Sequence, residues 1–438
     1  MKASATIDAV ILRDIESEVI APGPNGFICP QYDHYCFCNI PSLARYLLGA
    51  SGSSPLSDIS ARAGISPPDT GAVIAFMIDG FGYNQWLEYA DKYDFLKRFT
   101  ANGVVAPITS VFPSTTAASV TSIHSGLTPQ EHGLPEWWVY FEEIGRIIVT
   151  LPFMSLGGNT QDELLQSGVD PAMLFDGDTL YRALGDEGVR SFAFMHNNIA
   201  NSSYSSRVLT GSQVVAFHDL RDLATRLTSV VAGASTPAYF HVYWGGIDSA
   251  AHQHGVGSEA YLVELDKFFS VLTRDFIDRL PGSVAREAVV LVMADHGEIN
   301  VDPPATVYLN EFPELVDGLR RGRDGEKILP WGSARDVFIA TEPDRTDGVL
   351  TFLSEALEGK AAVLRSEDGL QQGLFGRGHV HKEFRSRIGD ILVLPTGNLT
   401  LWYERPFEKR FTLRGMHGGL SADEAIVPLA LARISNLR

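Results

Sequence analysis

The segment Gly71–Gly82, GAVIAFMIDGFG, places seven apolar residues in a row and closes them with Asp79 and Gly80. A strand that faces water on one side alternates apolar and polar residues. A run this uniform, at strand length, must be covered on both faces, which is the condition of an internal strand in a parallel sheet. Ala238–Trp244 and Ala288–Ala294 repeat the pattern, and each leads into acid and imidazole residues: GGIDSAAHQHG after the first, Asp295 and His296 after the second. Further strands are expected at Ala9–Leu12, Val104–Ile108, Arg146–Leu151 and Val189–Met195. Helices are expected at Ile40–Leu48, Asn84–Phe99, Thr179–Leu184, Leu220–Val231 and Ser258–Leu280. Alternation of strands and helices predicts an α/β fold: a doubly wound, mostly parallel central sheet with helices on both faces. In such sheets ligands gather outside the carboxyl ends of the strands, where Asp79, Asp248, Asp295 and His296 fall.

The expected organisation is an N-terminal segment, residues 1–70, packed on a catalytic domain spanning 71–438. Between Asn300 and Thr396 the pattern is less regular, with loops around one clearer unit at Val337–Ser366, and this stretch reads as an inserted smaller subdomain or cap. RGMHGGLSADEAIVPLALARI then returns a polar loop and a last strand to the sheet.

Charge narrows the partners. The chain has 438 residues and a formal net charge of -18. That field repels nucleic-acid backbones and anionic membranes, although a cation cluster inside one pocket can still admit a small anionic substrate. The N-terminus carries acids where a secretory signal needs an apolar core, and no apolar run has the length of a membrane span, so a cytoplasmic location is expected. Cys29, Cys36 and Cys38 are an odd, clustered set that argues against a disulfide framework, and with His34 they fit no zinc-finger spacing.

The chemistry concentrates around FPSTTAASVTSIHSGLTPQEHG, Phe112–Gly133. A turn delivers Thr115 and Thr116 to the start of a helix ending near Gly126. Unpaired N–H groups and the helix dipole favour an anion there, although a threonine at that place also serves as a simple cap. Asp79, Asp248, His252, Asp295, His296 and His417 together make a mixed oxygen and nitrogen set suited to zinc or manganese. Each alone has a bland reading, as a helix cap or a packed imidazole; together with the threonine turn they form a candidate two-metal site.

The order of these motifs resembles the alkaline phosphatase superfamily, and most closely its type I phosphodiesterase/nucleotide pyrophosphatase family. The matching segments are MIDGFG, FPSTTAASVTSIHSGLTPQEHG, GGIDSAAHQHG, MADHGE and GMHGGLSADEAIVPL, anchoring residues 71 to 435. The resemblance implies two divalent ions, usually zinc, at a threonine or serine nucleophile. By position, one ion takes Asp79, Thr116, Asp295 and His296, and the other Asp248, His252 and His417. Thr116 stands nine residues before Ser125 of the SGL element, as the family nucleophile stands before its TGL; Thr115 is the alternative. The implied activity is hydrolysis of a small, nucleotide-like phosphate ester through a phospho-threonine. His124, His132, His254, His379 and His381 are read as structural or surface residues.

One departure bears on substrate. Relatives carry a phosphoryl-binding Asn about five residues after the HG of the nucleophile segment, and that position here is Trp137. Trp137 and Trp138 either stack on an aromatic substrate group or pack the chain against the sheet. The formylglycine motif of sulfatases is absent around Thr116, and independent phosphoglycerate mutases use a serine in another context. A phosphomonoesterase or phosphonate hydrolase on the same scaffold is the close alternative, and a metal-binding regulatory protein without turnover the remote one.

Overall fold

The structure, a computed structural model, describes residues 15–50, 52–67, 70–405 and 410–438. The strand expected at Ala9–Leu12 lies outside the described residues. Seven strands form the central sheet: β1 Ala72–Ile78, β2 Val104–Thr109, β3 Arg190–His196, β4 Gln213–Phe217, β5 Ala238–Trp244, β6 Ala288–Met293 and β7 Ile426–Arg433. Their spatial order is β2-β7-β6-β1-β5-β3-β4. β6, β1, β5, β3 and β4 pair in parallel, and β7 runs antiparallel between β6 and β2. Every residue of β1, β2 and β6 is buried, as their uniformly apolar sequences require. Helices flank both faces, so the doubly wound α/β reading holds.

This topology positions the site. β6, β1 and β5 are neighbours, so the residues that follow them emerge side by side, about 4.8 Å apart per strand. Because β7 is reversed, its entry end shares that edge, and the loop before it, carrying His417, arrives there too.

Several expected elements differ. Asn84–Phe99 is two helices, Tyr83–Tyr89 and Asp94–Asn102, which lets Trp86 and Phe99 meet edge-on in the core. The long helix expected at Ser258–Leu280 is α-helical only over Glu259–Val271, then continues as a π turn and a 3-10 turn. Arg146–Val149 is a strand outside the central sheet, pairing with Trp138–Phe141 and Met154–Ser155 in a small antiparallel sheet. β4 was not expected: it is an edge strand, half exposed, and QVVAF lacks the uniform burial that marks the inner strands.

A four-stranded antiparallel sheet combines Trp331–Gly332, Val337–Ile339, Ile391–Pro395 and Ala361–Arg365. Its side chains alternate between two cores: Val337, Ile339, Ile391 and Val393 face Val349 and Leu353 of the helix Thr346–Ala356, while Phe338, Leu392 and Leu394 face Trp331 and Phe375. Phe112, from the turn before the threonines, packs on Phe375 with ring centroids 5.3 Å apart, so this sheet braces that turn. Cys36 and Cys38 are buried against Val111 and Ala118, while His34 turns away to Glu18. Among the described residues no helix is long and apolar enough to cross a membrane.

Candidate active site

Each candidate residue reaches the site from a strand end. Asp79 follows β1, where Gly80 adopts φ +72 and lies so near Asp248 that an added Cβ would meet its Cα at 3.1 Å. Asp295 and His296 follow β6. Helix α1, Thr116–Ser125, starts after β2 and ends at Gly126 in the left-handed region, φ 76. A second short helix, α2, spans Ser203–Val208 after β3. Helix α3, Gly246–His254, follows β5 and places Asp248 and His252 one turn apart on one face.

Two groups of ligand-type atoms result. Asp79, Asp295 and His296 form one, and Asp248, His252 and His417 the other; within each group the atoms lie within 4.8 Å of one another. The His296 and His417 rings stack at 3.5 Å, joining the groups. All six sequence-predicted side chains therefore meet.

Hydrogen bonding fixes how the imidazoles point. Nδ1 of His296 lies 3.1 Å from the Gly297 carbonyl, Nδ1 of His252 2.7 Å from the Gly415 carbonyl, and Nδ1 of His417 3.0 Å from the Ser114 carbonyl. A carbonyl oxygen only accepts, so each Nδ1 carries a proton, and in the neutral ring Nε2 presents a lone pair. Those lone pairs face carboxylates: His296 Nε2 is 3.2 Å from Asp79 Oδ1 and 3.5 Å from Asp295 Oδ2. His252 Nε2 and His417 Nε2 lie 3.2 and 3.8 Å from Asp248 Oδ1. Lone pairs facing lone pairs repel unless a cation or a proton stands between them. Asp79 Oδ1, Asp248 Oδ1 and Asp295 Oδ2 are buried with no hydrogen-bond partner.

The electrostatics point the same way. Burial, with the charge of Asp79, pushes the Asp248 carboxyl up to about 6. Burial and the same neighbour drive Asp295 well above its ordinary range. For His296 burial acts downward, but Asp295 and Asp79 outweigh it and raise the imidazole to about 10. This pocket of crowded carboxylates calls for positive charge. Oriented imidazoles, each with its other nitrogen tied to the backbone, are what a transition-metal site needs, so the donor set fits divalent cations.

Thr116 Oγ1 lies 3.2 Å from His296 Nε2. Thr115, the preceding N-cap, makes no cap hydrogen bond, and its hydroxyl is buried without a partner. Trp137 lines the cavity that also contains Thr116, Asp79 and Asp248. Trp138 packs instead, edge-on to Trp402 at 5.3 Å and with Arg405 over its ring. Of the remaining histidines, His132 is buried beside Ser122, His254 and His379 are exposed, and His381 is half-buried; His124 lines the cavity.

Sequence reasoning missed three supports. Tyr243 Oη donates to Asp79 Oδ2. Glu298, three residues after Asp295, is fully buried with Oε1 3.7 Å from His252 Nδ1. Glu424 accepts from Arg335 and from the Gly419 amide, bracing the His417 loop. Glu298 stands inside MADHGE and was legible as an acid near the site; the other two depend on tertiary packing that no local pattern announces.

The family model described as type I phosphodiesterase/nucleotide pyrophosphatase matches residues 73–420. No curated protein matches the sequence. Among solved structures, murine ectonucleotide pyrophosphatase/phosphodiesterase 5, in an inactive form in complex with AMP, is 15% identical with a TM-score of 0.60, covering 82% of this chain and 87% of its own. Human ectonucleotide pyrophosphatase/phosphodiesterase 5 is 15% identical with a TM-score of 0.57 over 82% and 87%. Phosphonoacetate hydrolase from Sinorhizobium meliloti 1021, in complex with phosphonoacetate, is 17% identical with a TM-score of 0.59 over 85% and 95%. At such identities these likenesses show a shared fold. The family match spans most of the chain, and the chain belongs to the type I phosphodiesterase/nucleotide pyrophosphatase family.

Proposed function

We propose that this chain is a two-metal phosphoester hydrolase, of the phosphodiesterase/nucleotide pyrophosphatase type, that works through a phospho-threonine at Thr116. Asp79, Thr116, Asp295 and His296 would hold one divalent cation and Asp248, His252 and His417 the other, zinc in the first instance and manganese as the alternative. When bound, such cations supply the positive charge that makes a threonine hydroxyl acidic enough to attack and that neutralises phosphoryl oxygens.

The chain's own groups do the rest. Thr116 Oγ1 bonds to phosphorus as the bond from phosphorus to one ester oxygen breaks, and the hydroxyl's proton goes to that oxygen, which leaves as the alcohol. Water then cleaves the phosphoryl-threonine, its OH passing to phosphorus to release the phosphate monoester and its other hydrogen returning to Oγ1. Amide groups at the start of α1 orient the phosphoryl oxygens. Tyr243 holds Asp79, and the Gly297, Gly415 and Ser114 carbonyls keep each imidazole turned with Nε2 inward. The observation that carries this reading is the convergence of three buried, unpartnered carboxylate oxygens and three Nε2 atoms beside one partly exposed threonine hydroxyl.

Metal analysis combined with turnover of bis-p-nitrophenyl phosphate, p-nitrophenyl phosphate and p-nitrophenyl thymidine monophosphate tests it. The expected result is about two transition-metal ions per chain and diester cleavage that falls roughly a thousandfold or more in Thr116→Ala. Preference for the monoester would move the activity to a phosphatase on the same site. Full activity in Thr116→Ala, or metal without any turnover, would refute the reading.

A further inference from the structure

The carboxylate cluster opens into a cavity of about 520 Å³. Thr116, Val120 and His124 all line it; spaced four apart on α1, they share one face of the helix. The cavity therefore runs from the Thr116 hydroxyl along about two helical turns, roughly 12 Å at the α-helical rise. Trp137, Leu151, Met195, Val208, Phe217 and Trp244 wall that length. Ser202 and Ser205 also face it but bond each other at 3.1 Å, and the polar Gln161, Asn198 and Ser249 are exposed.

Charge is missing from this wall. Among the described residues no lysine or arginine lines the cavity, and its only carboxylates are Asp79 and Asp248 of the cluster. A substrate tail bearing a carboxylate or a second phosphate would be desolvated there without a countercharge.

Three imidazoles interrupt the apolar wall; His196, partly exposed, is tied through Nε2 to the His218 carbonyl at 2.9 Å and accepts the Asn198 amide on Nδ1, while the other two are buried. His124 and His241 meet edge-on with ring centroids 4.7 Å apart. His124 Nδ1 is paired with the Tyr181 hydroxyl at 2.8 Å. Its Nε2 and both nitrogens of His241 are buried without any partner. Burial keeps both rings neutral, His241 being pushed down to about 3, and a neutral imidazole carries one donor and one acceptor. Unsatisfied polar atoms at such a place are costly unless something binds them.

We infer that this cavity receives the organic group esterified to phosphorus, and that this group is uncharged, largely apolar, and tipped by one hydrogen-bonding function read by His241 and His124. The inference rests on phosphorus binding at Thr116, as proposed above, and adds the class of ester. It sets apart two kinds of ligand seen in structures of like fold: AMP, with its many polar groups, and phosphonoacetate, with its carboxylate.

Binding of non-hydrolysable phosphonates to the zinc-loaded full chain tests it, followed through the fluorescence of Trp137 and Trp244 in the wall. The phosphonates are methylphosphonate, biphenyl-4-ylphosphonate and its 4′-hydroxy derivative; phosphonoacetate and AMP are compared with them on zinc-loaded Thr116→Ala, where neither is turned over. Biphenylphosphonate should bind at least about tenfold tighter than methylphosphonate, and the terminal hydroxyl should add about three- to tenfold. His241→Phe should erase the hydroxyl's advantage while the biphenyl advantage stays. Val120→Phe, which places a ring midway along the cavity, should erase the biphenyl advantage. Equal binding of the methyl and biphenyl ligands overturns the inference, as does tightest binding of phosphonoacetate or AMP. A hydroxyl advantage that survives His241→Phe overturns the role given to the imidazoles. The wild-type series decides the main point even if a variant does not fold. Failure of every phosphonate, methylphosphonate included, would strike the phosphoryl site itself and so the proposed function, whereas uniform binding strikes only the cavity.

Discussion

Glu424→Gln is expected to cost far more stability than its small change in shape suggests. The Glu424 carboxylate is fully buried, and Arg335, whose side chain is only 1% exposed, forks onto it at 2.9 and 2.8 Å. The same carboxylate accepts from the Gly419 amide at 3.0 Å and the Ser421 hydroxyl at 2.6 Å, and the Glu424 backbone carbonyl accepts from Gly297. The residue thus braces both the loop of His417 and the turn after His296. The amide keeps the size and one acceptor but leaves a buried guanidinium without its countercharge, a loss of about 3–5 kcal/mol. Burial alone would raise the Glu424 carboxyl, but Arg335 outweighs it and holds the group below its ordinary value of 4.5. A depressed carboxylate stabilises the fold above that ordinary value and stops doing so as pH falls through the lower, folded one. The gap between wild type and variant should therefore close in acid. Urea unfolding of the chelator-treated proteins at neutral pH measures the difference free of metal binding. A loss below about 1 kcal/mol would refute the argument that this pair is an essential buried brace.

Tyr243→Phe removes the donor to Asp79 Oδ2 and should weaken zinc binding about 10- to 100-fold, read by titration against a competing chelator; unchanged affinity would deny Tyr243 a role in orienting the carboxylate. Gly297→Ala would set a Cβ against the Asp423 carbonyl and should cost at least about 3 kcal/mol. Gly185→Ala, in the helix Leu180–Asp186 with nothing within 4 Å of the new methyl, should instead stabilise by about 0.5–1 kcal/mol. Thermal unfolding of the two variants side by side checks both signs.

The inner strands were legible because burial on both faces leaves an unmistakable residue pattern. β1, β5 and β6 appear within a residue of where AVIAFMI, AYFHVYW and AVVLVMA placed them. The edge strand β4 was not: QVVAF has strand residues, but it is short, and its exposed Gln213 and Val214 lack the cover on both faces that marks the inner strands. Arg146–Val149 has strand composition, but sequence alone cannot say which sheet a strand joins; its partners are the neighbouring Trp138–Phe141 and Met154–Ser155. The acids and imidazoles of the site were visible as strand-end residues and through the order of the motifs. Their tautomers, set by the carbonyls of Gly297, Gly415 and Ser114, were not, nor was the pairing of Arg335 with Glu424 across 89 positions. The role of Trp137 could be posed from the sequence, as stacking or packing, but only the fold puts it in the cavity wall and Trp138 outside it.

Thr116 is proposed as the group that bonds to phosphorus. Acid quenching of the zinc-loaded chain during turnover of bis-p-nitrophenyl phosphate, followed by peptide mass spectrometry, tests it directly. A p-nitrophenylphosphoryl adduct is expected on Thr116 and absent from Thr116→Ala. An adduct on Thr115 would contradict this, as would steady turnover by Thr116→Ala.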